Sequence, residues 1–215
     1  MGAKTWMLVY ADGKAGEILK SEPALNRVAT AALVKQLFPS ETLKPIDDGS
    51  LLNTCPPDDE IYAGCFAGLS ILAANEFGID YPSRLSARFL AATPNGTVSL
   101  HAMHNAVDWF AFAIWKDGKL QRSLSLSPRS GILEDIGPKL AFEEPFWSGQ
   151  HPASDPDEED DCDYPFPFHP LELGGAALLE LFGYQLEGIF DSSSLLPETI
   201  PLAGFKRVKS RWKLW

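Results

Sequence analysis

Two apolar segments joined by Asp117-Gly118 constrain the fold of this chain more than any other feature of its sequence. The segments run over residues 108–116 and 119–127. Asp-Gly tolerates positive φ at both central positions of a turn, which a two-residue type I′ turn requires. The sequence therefore predicts a β-hairpin at the centre of a mainly antiparallel sheet.

The two-residue turn also predicts how the hairpin strands pair. Counting back from it pairs Trp115 with Leu120, and the same count pairs Phe112 with Ser123. On this register one face carries alternate residues of both strands, namely Trp109, Ala111, Ala113, Trp115, Leu120, Leu124 and Leu126. The other face carries Phe110, Phe112 and Ile114 opposite Gln121, Ser123 and Ser125. The sheet is expected to have apolar contacts on both faces, so helices must cover part of each.

Hydrophobic periodicity predicts the elements around the hairpin. Strands are expected over residues 4–10, 61–66, 69–73, 97–103 and, as an edge strand, 200–208. Helices are expected over residues 23–38, 84–91 and 171–182, with Ser21 and Ser83 as N-caps of the first two and Gly183 as the C-cap of the third. Helices packed on an antiparallel sheet make the expected fold class α+β.

The composition fits a single domain over residues 1–215. Hydrophobic residues make up 45% of the chain, with 13 Phe and 6 Trp among them, which is enough for a sizeable core without disulfides or metals. Cys55, Cys65 and Cys162 match neither a zinc ribbon nor a redox Cys-x-x-Cys pair, so free thiols are expected.

Neither export nor membrane insertion is expected. Residues 1–6 lack the apolar stretch of a signal peptide. Charged residues interrupt every apolar run before it reaches the roughly 18 to 20 residues that a membrane span needs. The expected location is the cytoplasm.

Two segments of opposite charge stand out. The net charge of −11 opposes nucleic-acid binding. Residues 151–163 form an acidic loop; because it lacks the central Gly of a calcium loop, a solvated loop is expected. Residues 206–215 form a basic tail in which Lys and Arg alternate with Trp212 and Trp215. Such a tail is able to stack on nucleic-acid bases, but docking onto the acidic surface of the same chain is the favoured interpretation.

Candidate catalytic residues are Cys65, His101, His104 and Asp108. A His beside a carboxylate has its tautomer and pKa set for proton transfer. Residues three apart on a strand point to opposite faces, so His101 and His104 are not expected to share a metal, and no metal site is predicted. The Gly before Cys65 lies one position too close for a nucleophile elbow, and a buried Cys filling space between strands explains the same string.

Candidate binding residues are Ser127 and Arg129. The segment 123–127 carries alternating hydroxyls and ends in a loop where Arg129 is placed to meet an anion. Neither a phosphate-binding glycine loop, nor a zinc-protease His-Glu-x-x-His, nor a dinucleotide fingerprint occurs in the sequence. These absences remove the strongest enzyme classes, and no cofactor is expected.

Six segments together resemble a bacterial family of unassigned function: residues 1–13, 62–66, 101–115, 122–137, 166–175 and 200–205. The resemblance implies a cytosolic bacterial protein and carries no activity, ligand or site residue. Many aromatic residues, charge asymmetry and the lack of a complete catalytic set make a noncatalytic binding or regulatory protein, with a protein partner, the leading hypothesis. The alternative is a small hydrolase or transferase in which Cys65 attacks, His101 or His104 accepts the proton and Asp108 orients the imidazole.

Overall fold

A computed structural model of the chain describes residues 3–92, 95–153, 165–187 and 195–208. Within these ranges, nine strands form one sheet: β1 (Lys4–Ala11), β2 (Leu43–Ser50), β3 (Glu60–Phe66), β4 (Leu69–Ala73), β5 (Thr97–His104), β6 (Trp109–Lys116), β7 (Lys119–Ser127), β8 (Gly131–Ile136) and β9 (Pro201–Arg207). The same ranges contain five α-helices: α1 (Ala15–Lys20), α2 (Arg27–Leu37), α3 (Ala87–Leu90), α4 (Glu144–Trp147) and α5 (Pro170–Phe182).

All the paired strands are antiparallel, and the sheet is open, with the order β2-β9-β3-β4-β1-β5-β6-β7-β8. A few helices pack on it. The helical share is small, so a mainly-β class describes this architecture as well as the expected α+β class does. Among the described residues, none of the helices has the length and hydropathy that crossing a membrane requires.

Apolar residues are buried on both faces of the sheet because the side chains of each strand alternate between faces. On β1, Met7 and Val9 pack with α1 and α5, and we call this side the α5 face. Leu8 and Tyr10, on the other side, pack with residues of α2 and α3, and we call this side the α2 face. Apolar contacts on both faces were expected from the hairpin, and the structure confirms them.

The hairpin forms where the sequence predicts it. Asp117 and Gly118 have φ angles of 50° and 73°, the positive values that a type I′ turn needs. Trp115 pairs with Leu120 as expected.

Beyond that pair, the predicted register is wrong by one residue. A β-bulge shifts the pairing, so that Ile114 lies opposite Arg122 and Phe112 lies opposite Leu124 instead of Ser123. The shift places Leu124 and Leu126 on the α5 face, in the same core as Phe110 and Phe112. It also directs Arg122 toward a buried carboxylate on that face, and these two gains explain why the bulge is favoured.

Several other boundaries differ from the expectation. Helix α2 begins at Arg27 with Asn26 as its cap, because the Asn26 side chain accepts a hydrogen bond from the Ala29 amide. The segment expected as one helix over 84–91 divides into a 3-10 turn at Pro82–Arg84 and the short α3. Strand β9 is not an edge strand, since it pairs with both β2 and β3. Helix α5 ends at Gly183, in the left-handed conformation, as predicted.

The charged segments lie only partly within the described residues. Residues 154–163 of the acidic loop and 209–215 of the basic tail are outside them. At the start of the tail, Lys206 Nζ lies 3.2 Å from an Asp59 carboxylate oxygen. Arg207 pairs with Glu41 and Glu76. These two cations therefore contact acidic groups of the same chain.

Candidate functional site

Cys65 lies on the α2 face, beside α2. Its amide donates to the Thr30 hydroxyl at 2.9 Å, and its sulfur accepts a hydrogen bond from the Ser70 hydroxyl at 3.4 Å. The side chain is buried. These contacts are those of a small core residue between closely packed strands.

His101 lies on the opposite, α5 face and is fully buried. Its Nε2 lies 2.9 Å from the Gly174 carbonyl oxygen, and its Nδ1 lies 2.6 Å from the Thr5 hydroxyl. Because a carbonyl only accepts, Nε2 carries the proton and Nδ1 accepts from Thr5. Burial lowers the pKa of His101 to about 4, so the ring is neutral near pH 7 and both nitrogens are occupied.

The structure does not bring the proposed catalytic residues together. The sheet itself separates Cys65 from His101. His104 shares the α2 face with Cys65 but lies six residues along the strands from the level of Cys65, which corresponds to about 20 Å. Asp108 lies 3.8 Å from the Nε2 of His169, which is a different histidine from the two expected.

Three of the predicted residues do meet, in a cleft of about 320 Å³ on the α2 face. His104 is at the end of β5, Ser127 ends β7, and Arg129 follows in the turn before β8. We call this site the tryptophan cleft and define it by its lining residues: Trp6, Gly78, Asp80, His104, Val107, Trp109, Ser127, Arg129, Ser130 and Leu133.

The order of the strands builds this cleft. Strands β1, β5, β6 and β7 are neighbours, and at one end of them alternate residues bring Trp6, His104, Trp109 and Ser127 to the same face. The rings of Trp6 and His104 stack with centroids 6.1 Å apart. These aromatic side chains form an apolar floor that neighbouring strands hold in place.

The segment before α3 forms one wall of the cleft. Gly78 approaches the indole of Trp6 so closely that an added Cβ would lie 3.1 Å from ring atoms. The same segment is held by the buried carboxylate of Glu134, which accepts hydrogen bonds from the Ser83 amide at 2.9 Å, from the Ser83 hydroxyl and from the Ser123 hydroxyl. This anchor places Asp80 in the wall.

The turn that carries Arg129 forms another wall. The Ser130 amide donates to the Ser127 hydroxyl at 3.1 Å, which closes the turn, and Gly131 follows with a φ of 64°. Arg129 itself is exposed, and within the described ranges it makes no hydrogen bond or ion pair with another group of the protein.

His104 is a neutral donor at the floor of the cleft. Two effects lower the pKa of His104: mainly its partial burial, and to a lesser extent the nearby positive charge of Lys4. Its Nδ1 accepts a hydrogen bond from the Ala106 amide at 3.2 Å. The neutral ring therefore carries its proton on Nε2, a donor that a ligand in the cleft is able to use.

A second cavity, of about 390 Å³, lies beside Arg207 and is lined by acidic residues that include Glu41, Asp58 and Asp59. Arg207 already pairs with Glu41 and Glu76, and Lys206 pairs with Asp59, so the cations beside this cavity already contact acidic groups of the chain. Across the part of the chain that the structure describes, no group of three or more His, Cys, Asp or Glu side chains is suited to hold a metal ion.

The sequence pointed to His104, Ser127 and Arg129 but missed Trp6, Trp109 and Asp80. Trp109 begins the strand that follows His104, so its position next to the histidine was open to prediction from the β5–β6 connection. Trp6 reaches the cleft through the order of strands in the sheet, and Asp80 through the segment that Glu134 anchors; no local pattern in the sequence signals either arrangement.

The comparisons with known proteins bear on the family and not on the activity. A model described as a family of unknown function, DUF6928, matches residues 5–205. Searches of curated proteins and of solved structures gave no significant match. Because the match covers nearly all of the chain, including every strand of the cleft, the chain belongs to this family of unknown function, DUF6928.

Proposed function

We propose that this chain is a noncatalytic binding protein whose tryptophan cleft takes a segment of a partner protein. The composition of the cleft carries this proposal. Trp and Arg are enriched among the residues that dominate the energy of protein interfaces, and here Trp6, Trp109 and Arg129 surround one cavity.

The rim of the cleft supports a protein partner over a small metabolite. Val107 is 60% exposed and Tyr81, adjacent in sequence to Asp80, is 37% exposed. Large apolar side chains exposed around a cavity are typical of interaction surfaces. A volume of about 320 Å³ lies at the lower end for ligand pockets, and it suits one or two side chains of a docked segment.

The contacts of the cleft residues give catalysis little support. Nucleophilic catalysis needs a nucleophile within hydrogen-bonding reach of a base. The Ser127 hydroxyl contacts a backbone amide, and Cys65 lies about 20 Å along the sheet from His104. The hydrolase or transferase alternative therefore has no geometric support, and we do not propose it.

A cytosolic setting is part of the proposal and is supported by Cys55 and Cys65, which are both free thiols.

The test is selection from a displayed random peptide library on the full-length chain, followed by affinity measurements on two matched variants. Val107→Asp places a charge on the apolar rim. Val28→Asp places the same charge on α2, where the side chain is 83% exposed. We expect enriched peptides to bind the Val107→Asp variant about tenfold more weakly, since an unpaired charge replaces an apolar contact, and to bind Val28→Asp as they bind the wild type.

Two outcomes count against the proposal. One is a selection that enriches no binding peptide. The other is a set of peptides whose affinities are the same for the wild type and for both variants, because such peptides bind elsewhere on the molecule.

A further inference from the structure

The charges of the tryptophan cleft indicate what kind of segment it takes. Resting on the proposed function, we infer that the partner segment carries a carboxylate, from Asp or Glu, next to an apolar side chain. The carboxylate pairs with Arg129 and the apolar side chain packs between Trp6 and Trp109. The partner is thus an acidic peptide segment.

The first observation is that Arg129 differs from the other arginines of the described residues. Three of the others pair with carboxylates and two lie over aromatic rings: Arg27, Arg122 and Arg207 in the first group, Arg84 and Arg88 in the second. Arg129 does neither within the described ranges, although acidic residues outnumber basic ones 29 to 18 in this chain. Within the part of the chain that the structure describes, nothing competes with a ligand carboxylate for its guanidinium.

The second observation is that neutral donors and a further cation surround the same space. Ser127, Ser130 and His104, whose side chains carry O–H and N–H donors, line the cleft, and Lys4 lies close enough to His104 for its charge to act on it. A guanidinium with nearby O–H and N–H donors matches the acceptor-only character of a carboxylate. Asp80 is the one carboxylate among the lining residues. Because like charges repel, the ligand carboxylate is expected to lie on the Arg129 side of the cleft, away from the wall that carries Asp80.

The third observation is the pairing of this charged group with an apolar floor. Trp6 and Trp109 lie on the floor while Arg129 lies on the exposed wall. A ligand with an anion alone leaves the exposed part of the Trp6 indole in water, and a purely apolar ligand leaves the guanidinium uncompensated. A side chain of each kind, adjacent in one peptide, satisfies both.

The experiment uses four pools of labelled heptapeptides and fluorescence polarisation with the full-length chain. All pools share randomised apolar flanks and differ only at the central residue, which is Glu, Gln, Lys or phosphoserine. We expect the Glu pool to bind up to about fivefold more tightly than the Gln pool, and this preference to weaken as salt screens the ion pair. The Lys pool is expected to bind most weakly.

Arg129→Gln is expected to bring binding of the Glu pool down to that of the Gln pool, while binding of the Gln pool stays within about twofold of the wild type. Lys119→Gln removes the same charge from the exposed hairpin turn and is expected to leave both pools unchanged.

The outcomes separate the inference from the proposed function. Equal binding of the Glu and Gln pools, with Val107→Asp still weakening both, overturns the inference and leaves the cleft as a binding site. Binding of the phosphoserine pool about tenfold tighter than the Glu pool overturns the choice of a carboxylate. Binding of no pool, or binding that Val107→Asp does not affect, overturns the proposed function together with the inference.

Discussion

Removal of the Glu143 carboxylate is expected to destabilise the fold strongly, because this carboxylate is buried and holds a buried arginine. Glu143 and Arg122 form an ion pair in which both side chains are 0% exposed. The carboxylate accepts four hydrogen bonds: from Arg122 Nε at 2.9 Å, from Arg122 Nη2 at 2.6 Å, from the Leu140 amide at 2.8 Å and from Trp147 Nε1 at 3.4 Å. It therefore holds the segment that contains α4 against the sheet.

The magnitude follows from what Glu143→Ala leaves behind. Removal of one member of a buried pair costs about 3 to 5 kcal/mol, because the other charge stays buried without its partner. Arg122 keeps one ion pair, to Asp135, whose side chain is 39% exposed. We therefore expect the lower end of that range, about 3 kcal/mol, which is a large fraction of the roughly 5 to 15 kcal/mol that stabilises a typical protein.

Urea denaturation measures this loss. With a slope of about 2 to 3 kcal/mol per molar, the midpoint should fall by about 1 to 1.5 M. The control is Glu144→Ala at the next position, where the side chain is exposed and the expected change is within about 0.5 kcal/mol. Equal midpoints for the two variants would refute the reasoning about the buried pair.

Three further predictions test other parts of the structure. Burial lowers the folded-state pKa of His101 from 6.5 to about 4, so the free energy of unfolding should be unaffected by this group above pH 6.5 and should fall by up to about 3 kcal/mol as the pH drops toward 4. Urea midpoints measured across this pH range should fall with pH in the wild type and fall less in His101→Asn; the same pH dependence in both proteins contradicts the prediction. Gly137→Ala should lower the thermal midpoint well beyond Gly149→Ala, since both have positive φ but only the former places a methyl 2.1 Å from a backbone carbonyl oxygen; equal shifts contradict it. Glu134→Gln should weaken binding of selected peptides by a fewfold because it loosens the wall that holds Asp80, and unchanged affinity contradicts it.

The hairpin shows where prediction from sequence succeeds and where it stops. Asp117-Gly118 determines its turn through its own backbone preferences, so the turn and the adjacent pair of residues were predictable. The bulge that follows depends on Arg122 reaching Glu143, twenty-one positions along the chain, and on Leu124 joining a core built by other strands. Such a tertiary gain leaves no mark on the local pattern.

The candidate site shows the same division. Ser127 and Arg129 are close in sequence, and their shared role in one wall was predictable from the loop that contains them. His101 was expected beside Asp108, yet Thr5 and Gly174, from a distant strand and a distant helix, take both of its ring nitrogens. Long-range pairing therefore decides which histidine is a core residue and which one lines the cleft.

Hydrogen exchange with and without a selected peptide tests most directly whether the tryptophan cleft is the binding surface. We expect the peptide to slow exchange in residues 75–86, 104–109 and 127–131, which form the walls and floor of the cleft, and to leave residues 27–37 of α2 unchanged. Slowed exchange in α2 with none in the cleft segments would contradict the proposed site.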